Sequence, residues 1–156
     1  MRYAADTQVS TDKSILEIKR TLNRYGADAF MYAEDGARAL ISFKVAGRFY
    51  KIGVDLPDRN RREFTHTLER GKPRTPKAVE AAYEQAIRQR WRALSLAIKA
   101  VLEAAESGIW TLEQVLQSFA LLPDGSTVGA WLEPQINEAY LSGKMPQFLP
   151  LLEHKS

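Results

Sequence analysis

Eleven basic residues fall between positions 59 and 99: Arg59, Arg61, Arg62, Arg70, Lys72, Arg74, Lys77, Arg88, Arg90, Arg92 and Lys99. Eight are arginine, whose planar guanidinium suits bidentate contact with phosphate or carboxylate. Only four acidic residues share the segment. Its net charge is +7, against +1 for residues 1–58 and −5 for residues 100–156, in a 156-residue chain of net charge +3. A clustered basic surface concentrates polyanions, and each phosphate that it neutralises releases counterions. The candidate nucleic-acid contacts here are Arg59, Arg61, Arg62, Arg70, Lys72, Arg74, Lys77, Arg88, Arg92 and Lys99, reaching mainly phosphate and so carrying little sequence specificity. The same charges fit two other readings: pairing with the acidic end of the chain, or contact with an acidic protein partner.

Other chemistry is sparse. Phe49 among Lys44 and Lys51 offers a base-stacking platform of the kind single-strand binders use, and these three join the candidate contacts. With no cysteine, thiolate metal sites, iron–sulfur clusters and cysteine nucleophiles are excluded. The nine glycines never take the spacing of a phosphate-cradling loop. The two histidines, His66 and His154, do not suggest a metal site, and no serine has the setting of a catalytic triad. No cofactor, metal or catalytic residue is expected, and the chain reads as a non-enzyme.

The elements that must position these groups follow from periodicity. A helix is expected from Ser10–Ser14, with Ser14 and Glu17 at capping-box spacing and Ile15, Ile18, Leu22 and Tyr25 as its apolar stripe, stopping at Gly26. Three strands follow at Asp28–Ala33, Arg38–Val45 and Arg48–Leu56, joined by tight turns at Glu34-Asp35-Gly36 and Ala46-Gly47. Alternation puts Ala39, Ile41, Phe43, Val45, Tyr50, Ile52, Val54 and Leu56 on one sheet face, to be covered by the helix. Residues 58–75 show neither period and read as an exposed basic loop or a segment ordered on binding. Thr75-Pro76 then starts a long helix whose stripe of Val79, Tyr83, Ile87, Trp91, Leu94, Ile98, Val101 and Ala105 runs to near Gly108. Leu96, Ala97 and Leu102 widen that stripe, which makes the helix a candidate homodimer seam. A short helix from Thr111 to about Leu121 and a last one from Thr127 to Gly143, kinked or restarted at Pro134, complete the order; a hairpin across Asp124-Gly125 is the alternative. Residues 145–152 read as an apolar docking tail.

The fold class expected is α+β: an N-terminal helix on a three-stranded antiparallel meander (1–57), a basic loop (58–75), then a long helix and a small C-terminal helical part (76–156), forming one unit. At 45% apolar and 26% charged the chain should fold alone. No apolar run approaches the about 18 residues of a membrane span, and residues 1–10 lack the apolar core of a signal peptide, so a cytoplasmic protein is expected. A helix followed by a three-stranded meander also resembles the core of divalent-metal nucleases, with Glu17, Asp35, Asp55 and Asp58 as acids and Lys44 and Lys51 as stabilising cations. The acid-any-lysine triplet of such enzymes reads Ser42-Phe43-Lys44 here, with serine in the ligand position.

Three stretches resemble a family of small uncharacterised bacteriophage and prophage proteins: Leu22-Asn23-Arg24-Tyr25-Gly26-Ala27, Arg90-Trp91-Arg92-Ala93-Leu94, and Leu122-Pro123-Asp124-Gly125 with Thr127-Val128-Gly129 and Trp131. The resemblance implies a phage setting, in an infected or lysogenic bacterial cell, and brings no catalytic residues. Two roles suit that setting: an accessory protein that binds nucleic acid, and an inhibitor or adaptor that binds a host protein.

Overall fold

The computed structural model describes residues 4–145. Its order is α1 (Thr11–Arg24), β1 (Ala27–Glu34), β2 (Arg38–Val45), β3 (Arg48–Asp55), α2 (Arg62–Thr65), α3 (Pro76–Glu106), α4 (Leu112–Leu116), a 3-10 turn (Gln117–Phe119) and α5 (Val128–Ser142). The α+β class and the order helix, three strands, long helix and small C-terminal helical part are those the periodicity predicts, while α2 and the 3-10 turn are additions to it.

The strands form an antiparallel sheet in the order β1-β2-β3. At the β2–β3 turn Ala46 and Gly47 both take positive φ, 49° and 79°, the pair a two-residue hairpin needs to match strand twist. Residues of one parity, Ala39, Ile41, Phe43 and Val45 with Tyr50 and Ile52, are buried. They meet Ile18 and Leu22 of α1, Trp91, Ile98 and Leu102 of α3, and Leu116 of α4 in a single cluster. Phe43 and Tyr50, opposite each other in register, stack at 5.4 Å. Trp91, 1% exposed, meets Tyr32 of β1 edge-on at 5.6 Å, which ties α3 to the sheet. The wide stripe of α3 is used within the chain: Leu102 is buried and Leu96 half-buried, while Ala97 stays exposed.

Four local expectations change. Ser10, not Ser14, caps α1, accepting from the Lys13 amide at 3.3 Å. Ser14 lies inside the helix, fully buried, because it shares the inward line of Ile18 and Leu22; its hydroxyl has no hydrogen-bond partner among the described residues. Glu17 is accordingly free of the expected capping box and pairs elsewhere. The helix after Thr111 is shorter than expected, since Leu116 passes into a 3-10 turn and Ala120 is already extended. The Asp124-Gly125 hairpin and the last helix both form: Leu121 bridges Thr127, and Thr127 then caps α5. Hydrogen bonds from the Ser126 hydroxyl and amide hold the Asp124 carboxyl in that turn below the usual carboxylate range. Pro134 does not restart α5; the Gln135 side-chain amide donates to the Trp131 carbonyl at 3.0 Å, one turn back beside the proline.

The fourth change concerns residues 58–75, which are ordered. Phe64 of α2, 5% exposed, packs edge-on against Tyr83 of α3 at 5.8 Å. Beyond it the chain forms a small hairpin, with Thr67 donating to the Lys72 carbonyl and Arg74 to that of Thr65, both at 2.8 Å. One buried aromatic and a few backbone bonds suffice to organise a stretch without any repeating pattern. Of the apolar tail expected at 145–152, Met145 is exposed and the remainder, with Phe148, Leu149, Leu151 and Leu152, lies outside the described residues, as does His154. No helix among the described residues is long and apolar enough to cross a membrane.

Candidate nucleic-acid interface

The structure sorts the candidate residues into three groups. The first comprises Arg59, Arg61, Arg62, Arg70, Lys72, Arg74 and Lys77, on the turn leading into α2, α2 itself, the hairpin and the first turn of α3. Arg59 is internally engaged: its guanidinium lies 4.7 Å over the Tyr83 ring and 3.2 Å from the Glu80 carboxylate. The other six form no ion pair within the described residues. Five of them are exposed and Arg74 is half-buried. Arg70, Lys72, Arg74 and Lys77 belong to the hairpin and the first turn of α3, whose N-terminus is capped by Thr75 accepting from the Ala78 amide and adds positive potential beside Arg74 and Lys77. Arg61 also lines a cleft of about 220 Å³ with Pro57, Glu63, Phe64, Gln89 and Arg90. The Arg90 guanidinium donates to the Asp55 carbonyl and so fastens the end of β3 to α3.

The second group, Arg88, Arg92 and Lys99, shares the flank of α3 that faces α1. Arg92 donates to Glu17 at 2.5 Å, and Arg88 donates twice to the Gln85 side chain with Glu84 at 4.0 Å. Gln85 in turn donates to the carbonyls of Ala5 and Thr7, holding the N-terminal arm. Arg88 and Arg92 therefore have structural partners, while Lys99 is exposed. The internal pairing foreseen for the arginines occurs with Glu17, Glu80 and Glu84, and among the described residues none of it reaches the acidic end of the chain.

The third group, Lys44, Phe49 and Lys51, lies on the sheet face turned away from the buried cluster. Phe49 is 51% exposed and sits opposite Lys44 in register. The Lys44 ammonium lies 5.6 Å from the ring centroid and 3.9 Å from Asp28. Lys51 donates to the Gly125 carbonyl at 2.8 Å. Met31, 55% exposed, belongs to the same face and escaped notice in the sequence because β1 shows no clear alternation. Phe49 opens β3 and the basic hairpin follows its far end; six residues of strand, about 20 Å, separate Phe49 from Asp55. The platform and the basic segment are thus distinct surfaces.

The acids of the nuclease outline do not converge. Glu17 pairs with Arg92, Asp35 accepts from the Arg38 amide in its turn, Asp55 lies 4.0 Å from Arg38, and Asp58 accepts from the Asn60 amide. Among the described residues no three aspartate, glutamate or histidine side chains are placed to hold a metal ion. His66 shares a hydrogen bond of 2.8 Å between its Nδ1 and the Thr65 hydroxyl, beside the hairpin. Comparison with protein-family models, with curated proteins and with solved structures gives no match to this chain.

Proposed function

We infer that the protein binds nucleic acid without catalysis, through phosphate contacts made by Arg61, Arg62, Arg70, Lys72, Arg74 and Lys77. One observation carries this reading: among the described residues these six cations have no ion pair, on an ordered frame, whereas Arg59, Arg88 and Arg92 are each engaged internally. Ordering the cations before contact lowers the entropy lost on binding, and the macrodipole of α3 adds to their field. The phage setting of this function, in the cytoplasm of an infected or lysogenic cell, rests on the resemblance of the three stretches named above.

Fluorescence anisotropy of nuclease-treated protein with labelled single- and double-stranded oligonucleotides tests the reading. Six phosphate contacts give a slope of log affinity against log salt of about −5 for duplex and about −4 for single strands. Replacing Arg61 and Arg62 by Gln should reduce that slope by about 2, while replacing Arg88 and Arg92 should leave it nearly unchanged. Absence of binding at low salt, or equal effects of the two double variants, would reject the assignment.

A further inference from the structure

The hairpin of the basic segment ends in a tip of fixed shape. Thr67 closes it three times over: its amide donates to the Lys72 carbonyl at 2.8 Å, its carbonyl accepts from the Gly71 amide at 2.9 Å, and its hydroxyl accepts from the Lys72 amide at 3.1 Å. Gly71 takes a φ of 59°, which residues with side chains rarely adopt, and so lets the chain reverse within residues 68–71. A Cβ on Gly71 would stand 3.5 Å from an Arg62 guanidinium nitrogen, so that cation lies alongside the tip. Behind the tip His66 bridges Pro73, and buried Phe64 ties the base of the hairpin to α3.

Leu68 stands on this tip 86% exposed. Among the described residues the other large apolar side chains above 80% are Tyr140, Leu141 and Met145, all in the last six positions described. Arg70 and Lys72 share the tip with Leu68, exposed like it, and with Arg62 they outnumber Glu69. A leucine that its own chain leaves uncovered, set among cations, fits a partner with an anionic exterior and an apolar interior. Acidic protein surfaces, anionic membranes and duplex nucleic acid all have that form, the last with phosphates outside and stacked base faces within. Size decides between them. A protein interface needs about 20–30 residues a side, and even a whole myristoyl chain holds a protein to a membrane only marginally. One leucine suffices to part a base step.

Resting on the nucleic-acid reading above, we propose that Leu68 is a wedge: it enters between two base pairs of duplex DNA from the minor groove and kinks the duplex, while Arg62, Arg70 and Lys72 hold the adjoining phosphates. The closed backbone of the tip lets the side chain press into the stack instead of folding back on its own chain. The preferred substrate is then DNA whose stacking is already weak, at a mismatch or a pyrimidine–purine step, since opening it there takes the least work.

Two labelled duplexes, identical but for one central mismatch, are titrated with the full chain at low salt; anisotropy reads affinity, and energy transfer between the duplex ends reads the bend. The parent should bind the mismatched duplex about tenfold more tightly than the matched one and kink it by about 20–90°. Leu68→Ala should lose both the preference and the kink, and Leu68→Phe, which keeps a wedge, should retain both, with the helix content of the parent in each. Equal binding of the two duplexes without a kink, or binding of single strands alone, would overturn the wedge and leave the phosphate contacts standing. A preference that survives Leu68→Ala would overturn it as well. No binding of any oligonucleotide would remove it together with the nucleic-acid reading, and sedimentation with phosphatidylserine vesicles that Leu68→Ala abolishes would assign the tip to a membrane instead.

Discussion

Replacing Phe64 by Ala is expected to release the basic segment. The ring is 5% exposed and its edge-on contact with Tyr83 is the principal apolar link between residues 58–75 and α3. Truncating a buried phenylalanine costs about 3–5 kcal/mol. The adjoining cleft of about 220 Å³ lets neighbouring side chains relax, which places the cost at the lower end, about 3 kcal/mol. For a chain of this length that corresponds to a fall in melting temperature of about 9 °C. Local opening should respond as well, because the backbone bonds of Thr67 and Arg74 lose the anchor that holds them in register. Thermal unfolding followed by circular dichroism reads the first effect. Limited trypsin digestion reads the second, with cleavage after Arg61, Arg62, Arg70 and Arg74 accelerating at least about tenfold. Phe64→Leu, which keeps most of the apolar volume, should fall between parent and Ala variant in both assays. An Ala variant that melts with the parent and is cut no faster would refute the account of how this segment is ordered.

Two further outcomes follow from local geometry. Gly129→Ala should destabilise the fold by about 1–3 kcal/mol despite the better helix propensity of alanine, because the added Cβ would stand 2.9 Å from the Ser118 carbonyl oxygen; Gly53→Ala, with nothing within 4 Å of its Cβ, is the control, and urea unfolding compares them. Burial, together with the hydrogen bond that its hydroxyl donates to Glu34, pushes the Tyr32 phenol from its ordinary value of 10.0 up to about 12. The unfolded chain ionises first as pH rises, so this contribution to stability is complete below pH 10 and disappears between pH 10 and 12. Urea midpoints across that window should fall less steeply for Tyr32→Phe than for the parent, and parallel curves would contradict the assignment.

Much of the frame was legible in the sequence because its signals are periodic and local. Thr75-Pro76 set the start of α3, the three- and four-residue steps through Trp91 and Ile98 set its inward side, and alternation in β2 and β3 named the buried face. Ser14 was misread because a serine three residues before a glutamate looks like a cap, although its position one turn before Ile18 already placed it on the buried line. The order in residues 58–75 was hidden because it depends on Phe64 meeting Tyr83, nineteen positions away, and no local pattern reports such a contact. The division of the arginines was hidden for the same reason. Charge counting finds Arg61 and Arg92 alike, and only the packing of α1 on α3 sets Glu17 beside the latter.

The direction of α3 has a consequence for encounters in solution. At about 46 Å it is the longest element among the described residues, with Arg74 and Lys77 at its start and Glu103 and Glu106 in its last turn. Its peptide dipoles point the same way as this separation of side-chain charge, so the two add. On the nucleic-acid reading proposed above, the torque exerted by an approaching polyanion would turn the hairpin forward before any side chain touches phosphate. Collisions then become productive from a wider range of starting orientations, and added salt shortens the distance over which that turning begins.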